Sequence, residues 1–321
     1  MNDELLLQHS ILSAEKTARA FGFEDAEITL IKFRENAVFE LRCQTKTFAL
    51  RVHRPEYRSL QELKSEVELT SYLRDGGGIN TPKFLTNSDG THFYTSSIKG
   101  HYELHCDILE WIDGSSPNEQ SIVKSFAQVG SLSARIHKTL ATWTPSKNFL
   151  RPHLDETTLF GRYSVWGNYQ QLTSIANSKM AKFEYAAKKV ERSLSKACRD
   201  HEQWGLIHGD LMPENILINN NEISVIDFDD AGYSWYANEL AIAIAFHLEQ
   251  PYFNSLKFEW IKGYEEVKPN IDLSLLDDLI MARLLLALGW LAKRPKSKTA
   301  LELHDYIVGI AFRFANEYTS K

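Results

Sequence analysis

Cysteine is scarce. The 321 residues hold three, Cys43, Cys106 and Cys198, far apart and without a C-x-x-C pair. That excludes a disulfide scaffold and a thiolate zinc site, and it speaks for a reducing compartment. Long apolar runs are lacking as well. The two longest, Leu240 to Phe246 and Leu284 to Ala292, fall far short of the roughly 20 residues a membrane span needs. Met1 to Ser10 carries Asp3 and Glu4 and no long apolar core, so no signal peptide is expected. Positive charge is not in excess: 36 Lys plus Arg against 42 Asp plus Glu leave −6, where a nucleic-acid binder would show a basic stripe. Phosphate-binding glycine motifs are missing. There is no G-x-G-x-x-G, and Gly76-Gly77-Gly78 follows a helical pattern and lacks the Lys-Ser/Thr of a P-loop. These absences predict a cytoplasmic protein with neither nucleic acid nor membrane as partner.

What is present is ordinary globular usage, 43% hydrophobic and 24% charged residues, in a chain long enough for two lobes at about 150 residues each. Up to residue 112 the chain reads mostly as strands. Asp25 to Ile31, Ala37 to Cys43 and Thr47 to His53 are rich in β-branched and aromatic residues and are separated by the polar turns Phe33 to Asn36 and Gln44 to Lys46. A helix from about Ser13 to Phe21 precedes them. Another, from about Ser59 to Arg74, carries Leu60, Leu63, Val67 and Leu73 at helical spacing. Two strands are expected around the turn Asn87 to Gly90, and a last one from Leu104 to Trp111. Ile112 to Pro117 is turn-rich and marks the boundary. Beyond it, helices are expected at about 119–140, 174–201, 235–249, 254–266, 272–293 and 299–317, interrupted by a strand-like island from Leu206 to Asp229. The expected class is α+β: an N-terminal antiparallel sheet lobe (1–112) and a mainly helical C-terminal lobe (113–321).

The island carries the chemistry. An apolar strand delivers His208-Gly209-Asp210. Asn215 follows five residues after Asp210, and an apolar hairpin turning at Asn219 to Asn221 ends on Asp227. Each residue alone could be a turn or cap residue. Together, H-x-D-x-x-x-x-N, a hairpin and D-F have the spacing of a kinase catalytic loop followed by its metal-binding aspartate. Phosphoryl transfer needs such a set: one carboxylate to accept or orient the attacking hydroxyl, and hard oxygen ligands for Mg²⁺ on the phosphates.

With Gly in place of Arg in His-Gly-Asp, and Ile-Asp-Phe-Asp-Asp beyond, the sequence resembles the aminoglycoside phosphotransferase superfamily, which includes choline kinases and homoserine kinases of the kinase-like type. The likeness spans roughly residues 25–250 and is most specific at 206–230. It implies a two-lobed protein-kinase-like fold with Asp210 as catalytic base and Asn215 and Asp227 as metal ligands. It places Arg51, in Phe48-Ala49-Leu50-Arg51, where protein kinases have the lysine that contacts the α/β-phosphates. A carboxylate on the 59–74 helix would hold that arginine; Glu62 and Glu66 share a face one turn apart, and Glu66 is favoured. Asn36 lies in the phosphate-covering turn. The backbone of Glu110 and Ile112 lies where adenine would pair. His208 would orient the catalytic loop, Asp229 would support the metal or face the substrate, and Glu239, in the first turn of a helix, would brace the loop.

The resulting expectation is a phosphotransferase that uses ATP and Mg²⁺ and acts on a hydroxyl of a small molecule, such as an amino alcohol, a hydroxy amino acid or an aminoglycoside-like compound. Two alternatives stay open: a protein Ser/Thr kinase of the small-molecule-kinase-like type, against which no A-P-E element follows Asp227, and a nucleotide-binding module without turnover. His101, His105, His137, His153 and His247 have no metal-ligand spacing and read as structural. Phe160, Tyr163, Trp166, Tyr169, Tyr233, Trp235 and Tyr236 would flank an acceptor cleft in this superfamily, although packing is the plainer role. Leu284 to Leu291 reads as a buried helix.

Overall fold

The computed structural model describes residues 3–98, 102–118, 121–220 and 222–320. The expected helix start at Glu119, the structural reading of His101 and the turn residue Asn221 lie outside the described residues. The chain divides into two compact units. The first comprises Met1–Gly114 with Pro145–Leu150 and Ser224–Asp229; the second comprises Ser115–Thr144, Arg151–Ile223 and Asp230–Lys321.

In the first unit, α1 (Asp3–Ala20) is followed by β1 (Glu27–Phe33), β2 (Asn36–Cys43), β3 (Lys46–His53), α2 (Leu60–Gly77), β4 (Tyr94–Ile98) and β5 (Tyr102–Glu110). The strands form one antiparallel sheet in the order β1-β2-β3-β5-β4. Strand alternation sorts its side chains. Phe39, Leu41, Leu50, Val52, Leu104, Cys106 and Ile108 join Leu6, Ala14 and Ala18 of α1 in one core. The alternate positions Arg51, His53 and Asp107 are also buried, and the β3–β5 register sets Arg51 directly opposite Asp107.

Helix α1 begins ten residues before the expected start. Its buried stripe is built from Ser10, Ser13 and Thr17 as well as alanines. Ser10 and Thr17 donate to carbonyls one turn back, which hides their polarity; a search for apolar periodicity passes over them. Helix α2 opens with a reciprocal cap: Glu62 Oε2 accepts the Ser59 N–H at 2.8 Å and Ser59 Oγ accepts the Glu62 N–H at 3.3 Å. It runs on through Gly77 and stops where Gly78 turns left-handed at φ 59°. Only one of the two strands expected around Asn87 to Gly90 forms. The segment before the turn makes an isolated bridge from Phe84 to Leu109.

The second unit is mostly helical: α3 (Ile122–Ala141), α4 (Asn177–Leu194), α5 (Ala237–Ile244), α6 (Phe253–Glu265), α7 (Leu276–Lys293) and α8 (Lys298–Ser320). Helices α3 and α6 pack closely, because a Cβ at Gly130 or Gly263 would run into the carbonyls of Trp260 and Ala127. Four short strands serve the island: β6 (Trp204–Ile207), β7 (Ile216–Asn219), β8 (Glu222–Val225) and β9 (Gly232–Trp235). β7 and β8 make the expected hairpin. β9 fills the stretch between the island and the helix expected at about 235, where no element is expected; it pairs antiparallel with β6, Trp204 opposite Trp235. Among the described residues, no helix is long and apolar enough to cross a membrane. The architecture is α+β, a five-stranded antiparallel sheet and a mainly helical remainder, as the sequence predicts.

Candidate active site

The first unit gathers a charged cluster on the α2 side of β3. Arg51 donates through Nε and Nη2 to both oxygens of Asp107, at 2.9 and 2.8 Å, and through Nη1 to Glu66 Oε1 at 2.9 Å. His53 Nε2 reaches Asp107 Oδ2 at 2.8 Å. Burial would lift Asp107, but Arg51 and His53 hold it down to about 2. Burial would also strip Arg51 of charge, and Asp107 and Glu66 more than reverse this. Glu66 is therefore where the sequence places it, on Arg51, while Glu62 is taken up in the helix cap. The bidentate face of Arg51 grips Asp107, so the phosphate contact expected of it has only the remaining Nη donors to draw on.

Ser224 to Asp229 belongs to this unit, held by the Val225 N–H on Asn80 O (2.9 Å) and by Asn80 Nδ2 on Ser224 Oγ (2.8 Å). It presents Asp227 in a left-handed conformation, φ 68°, a strain characteristic of functional positions. Asp227 Oδ1 lies 3.9 Å from Arg51 Nη1 and is buried with no hydrogen-bond partner. Burial first, then Asp229 and Glu66, push its carboxyl up to about 7, against the pull of Arg51 and Lys32. Asn36 donates to Asp229 Oδ2 at 3.2 Å, and Arg58 Nε to the Asp229 carbonyl at 2.9 Å. The Glu110 N–H already donates to Lys83 O at 2.9 Å, so that donor is not open to adenine. Ile112 lies two residues past the end of β5.

In the second unit β6 ends on His208-Gly209-Asp210. Glu239, fully buried in the first turn of α5, accepts the His208 N–H on Oε2 at 2.7 Å and the Gly209 N–H on Oε1 at 3.1 Å. His137 stands 3.4 Å from the same carboxylate, and its hydrogen bond helps hold Glu239 below its usual range despite burial. Gly209 is left-handed at φ 81°, and a Cβ there would strike the Asp230 carbonyl. This accounts for glycine where protein kinases have arginine. His208 is fully buried, and its Nδ1 accepts the Asp210 N–H at 3.3 Å. Asn215 donates through Nδ2 to the Asp210 carbonyl at 2.8 Å and to Asp210 Oδ2 at 3.1 Å.

One residue here escapes the sequence argument. Arg283, on α7, donates through Nη2 to Asp210 Oδ1 at 2.6 Å and lies 3.2 Å from Met212 Sδ. Its signal was a lone charge inside an otherwise apolar helical run. Burial pushes Asp210 up to about 7, with Asp230 and Glu214 adding to the rise and Arg283 opposing it. Asp107 escaped in the same way, as a single acid in the apolar strand Cys106-Asp107-Ile108-Leu109.

Among the described residues, no three His, Cys, Asp or Glu side chains are gathered as a metal site. Each of the two expected ligands keeps an oxygen of the kind a hard cation takes: Asp227 Oδ1, in the first unit, is a buried acceptor without a hydrogen bond, and Asn215, in the second, has its amide nitrogen occupied by Asp210 and its oxygen left over. Of the aromatics, Phe160, Trp166, Tyr169, Trp235 and Tyr236 are buried as packing, whereas Tyr163 is exposed. His137 is hydrogen-bonded by the Tyr264 hydroxyl at 2.9 Å and by Glu239 and stacks on Tyr236, and His153 tilts against Tyr233.

The sequence profile of the phosphotransferase enzyme family matches residues 27–272. The amicoumacin kinase of Bacillus subtilis (strain 168) is 23% identical over 264 residues, 79% of this chain and 75% of that protein. A microcompartment-associated aminopropanol kinase has the same fold, with a TM-score of 0.88 and 24% identity over 97% of this chain and 98% of that one. An amicoumacin kinase solved in complex with AMP-PNP, Ca²⁺ and Ami gives 0.79 at 20% identity, covering 99% and 96%.

Proposed function

The chain belongs to the phosphotransferase enzyme family, and from that premise we propose that it is a Mg²⁺- and ATP-dependent kinase that phosphorylates a hydroxyl of a small molecule. The acceptor class is an amino alcohol, a hydroxy amino acid or an aminoglycoside-like compound. The observation that carries this reading is Asp210: a carboxylate gripped on one oxygen by Asn215 and on the other by Arg283, at the end of a strand whose loop is braced by Glu239. A carboxyl pushed up to about 7 suits a general base working near neutrality.

In the proposed reaction the acceptor oxygen attacks the γ-phosphorus, the bond from that phosphorus to the β-phosphate oxygen breaks, and ADP leaves. The acceptor proton passes to Asp210. Asn215 and Asp227 are the proposed ligands of Mg²⁺, which when bound supplies charge neutralisation on the phosphates. Arg51, anchored by Glu66 and Asp107, keeps positive charge on the nucleotide side, and the Asn36 turn covers the phosphates. Glu110 and Ile112 remain the proposed adenine-edge residues, through groups other than the Glu110 N–H. His208 and Glu239 shape the loop, and Asp229 supports the segment that carries Asp227. A protein acceptor is disfavoured by the short path after Asp227: a single 3₁₀ turn, Phe228–Asp230, leads straight into β9, with no chain for a peptide platform.

The test is ADP release from Mg-ATP over homoserine, choline, ethanolamine, 1-aminopropan-2-ol, aminoglycosides, sugars and casein, with Asp210→Asn as blank. Release with one small acceptor that vanishes in Asp210→Asn is expected. Release with casein alone would move the reading to a protein kinase.

A further inference from the structure

We infer that Arg283 is a positioning residue for phosphoryl transfer: it fixes the orientation of the Asp210 carboxylate from a helix that carries no other member of the site. The inference rests on the reading of Asp210 as the base, and it assigns a role to a residue outside every motif of the catalytic loop.

Three observations lead to it. Asp210 is held from two directions, Oδ1 by Arg283 Nη2 at 2.6 Å and Oδ2 by Asn215 Nδ2 at 3.1 Å. A carboxylate with one donor on each oxygen cannot swing about its last torsion without losing one of them, yet each oxygen keeps a lone pair for an acceptor hydroxyl. Second, Arg283 is costly where it stands. It stands buried in a helix whose residues from Leu279 to Gly289 are all buried, and its Nε is buried with no hydrogen-bond partner. Burying a guanidinium with a donor unsatisfied is tolerated where the charge has a task that an apolar residue could not perform. Third, the helix makes a rigid mount. α7 is buried along most of its length, and Gly289, six residues beyond, packs against the backbone of Gly167, so the guanidinium is delivered by an element with little freedom to shift.

Arginine suits the task better than lysine would. Its planar fork has a defined direction, stays charged at any working pH, and reaches the carboxylate oxygen while its stem lies in the apolar core. Asn215 alone would hold the carboxylate by one neutral hydrogen bond at 3.1 Å, a weaker restraint on rotation about its last torsion than that bond together with the charge-assisted one from Arg283 at 2.6 Å. The position of the base is thus set jointly by its own loop and by a helix 73 residues downstream.

The test compares wild type with Arg283→Met, Arg283→Lys and Asp210→Asn, with kcat and both KM values measured for whichever acceptor the panel identifies. Arg283→Met should lower kcat by about 10²-fold while leaving the KM for Mg-ATP within about threefold, the signature of an interaction that matters in the transition state. Arg283→Lys should recover part of the loss, a rescue that a purely space-filling role would not show. Unchanged kcat in Arg283→Met would overturn the inference. So would a raised acceptor KM with kcat intact, since that makes Arg283 a binding residue. Full turnover in Asp210→Asn would instead remove the base assignment itself. Crystal structures of the variants with Mg²⁺ and AMP-PNP ask the same question without turnover. A rotated or disordered Asp210 carboxylate in Arg283→Met, restored in Arg283→Lys, supports positioning; an Asp210 unmoved in Arg283→Met rejects it.

Discussion

The two units solve the same electrostatic problem in opposite ways. In the first, Arg51 is surrounded by carboxylates: Asp107 on both fork positions, Glu66 on Nη1, and Asp227 at 3.9 Å. Negative charge is in excess, and the left-over acid, Asp227, is pushed up to about 7. In the second, a single carboxylate, Asp210, is held by one guanidinium and one amide, and Glu239 is satisfied by backbone N–H groups and His137. The acid-rich cluster keeps an unsatisfied acceptor, whereas the loop cluster is closed on itself and holds one oriented carboxylate. The lesson is that a carboxylate's task is legible from what its neighbours leave unsatisfied, more than from its own identity.

Several measurements would break or sharpen this contrast. The largest effect belongs to the oriented base. Asp210→Asn should lower kcat by about 10²–10⁴-fold with Mg-nucleotide affinity nearly intact, whereas Asp227→Ala should abolish the Mg²⁺-dependent part of nucleotide binding measured by calorimetry. Equal loss of nucleotide affinity in both variants would erase the distinction between the clusters.

Next comes Asp107→Asn, which strips the fork of Arg51 of its counter-charge. Breaking a buried pair from one side costs about 3–5 kcal/mol, visible as a fall in the denaturation midpoint; a shift near zero would mean that Glu66 and Asp227 suffice. Gly209→Ala should cost less, about 1–3 kcal/mol, because a left-handed alanine would meet the Asp230 carbonyl; kcat should fall with it if the loop rather than Asp210 alone sets the geometry.

The smallest effect is on pH. Asp210 and Asp227 bind protons more tightly in the fold, near 7, than their ordinary 3.8. Their contribution to stability is therefore present below pH 4 and lost as pH rises towards and through 7. Water at the partly exposed Asp227 tempers its share. Asp107 runs the other way: held at about 2 against 3.8, it stabilises above pH 4, and that gain is lost as pH falls through 2. Thermal melting of the nucleotide-free protein should rise modestly from pH 8 to pH 5 and fall below pH 3, and Mg-ATP should flatten the upper limb. A melting curve that climbs from pH 5 to pH 8 without ligand would contradict the assignment of both raised carboxyls.

Much of this was readable in one dimension. The strands β2 and β3 and helix α7 fall close to where alternation and periodicity place them, because each buries one face or nearly all of itself, and burial imprints its period on the sequence. The spacing Asp210, Asn215, Asp227 is legible because these residues lie within one short loop and its hairpin. Where the reading slipped, a local rule was met by unexpected means. α1 hides its buried face in serine and threonine, and β9 forms because β6, some 25 residues earlier, offers it a partner.

By itself, then, the sequence determined the α+β class and the catalytic-loop spacing, both of which follow from residues close enough along the chain to share a local geometry, while an acid of the next helix on Arg51 was only implied by the family resemblance. Only the tertiary structure decided that Asp107 would take the fork of Arg51 and that Arg283 would hold Asp210. Those contacts join residues 56 and 73 positions apart. They depend on the register of β3 against β5 and on which face of α7 turns towards the loop. A one-residue slip in that register would carry Asp107 to the opposite face of the sheet, and the strand's own alternation does not say which partner strand it pairs with. What forbids the slip is the packing of the whole unit, where alternating Leu50 and Val52 must meet Leu104, Cys106 and Ile108 in a single core.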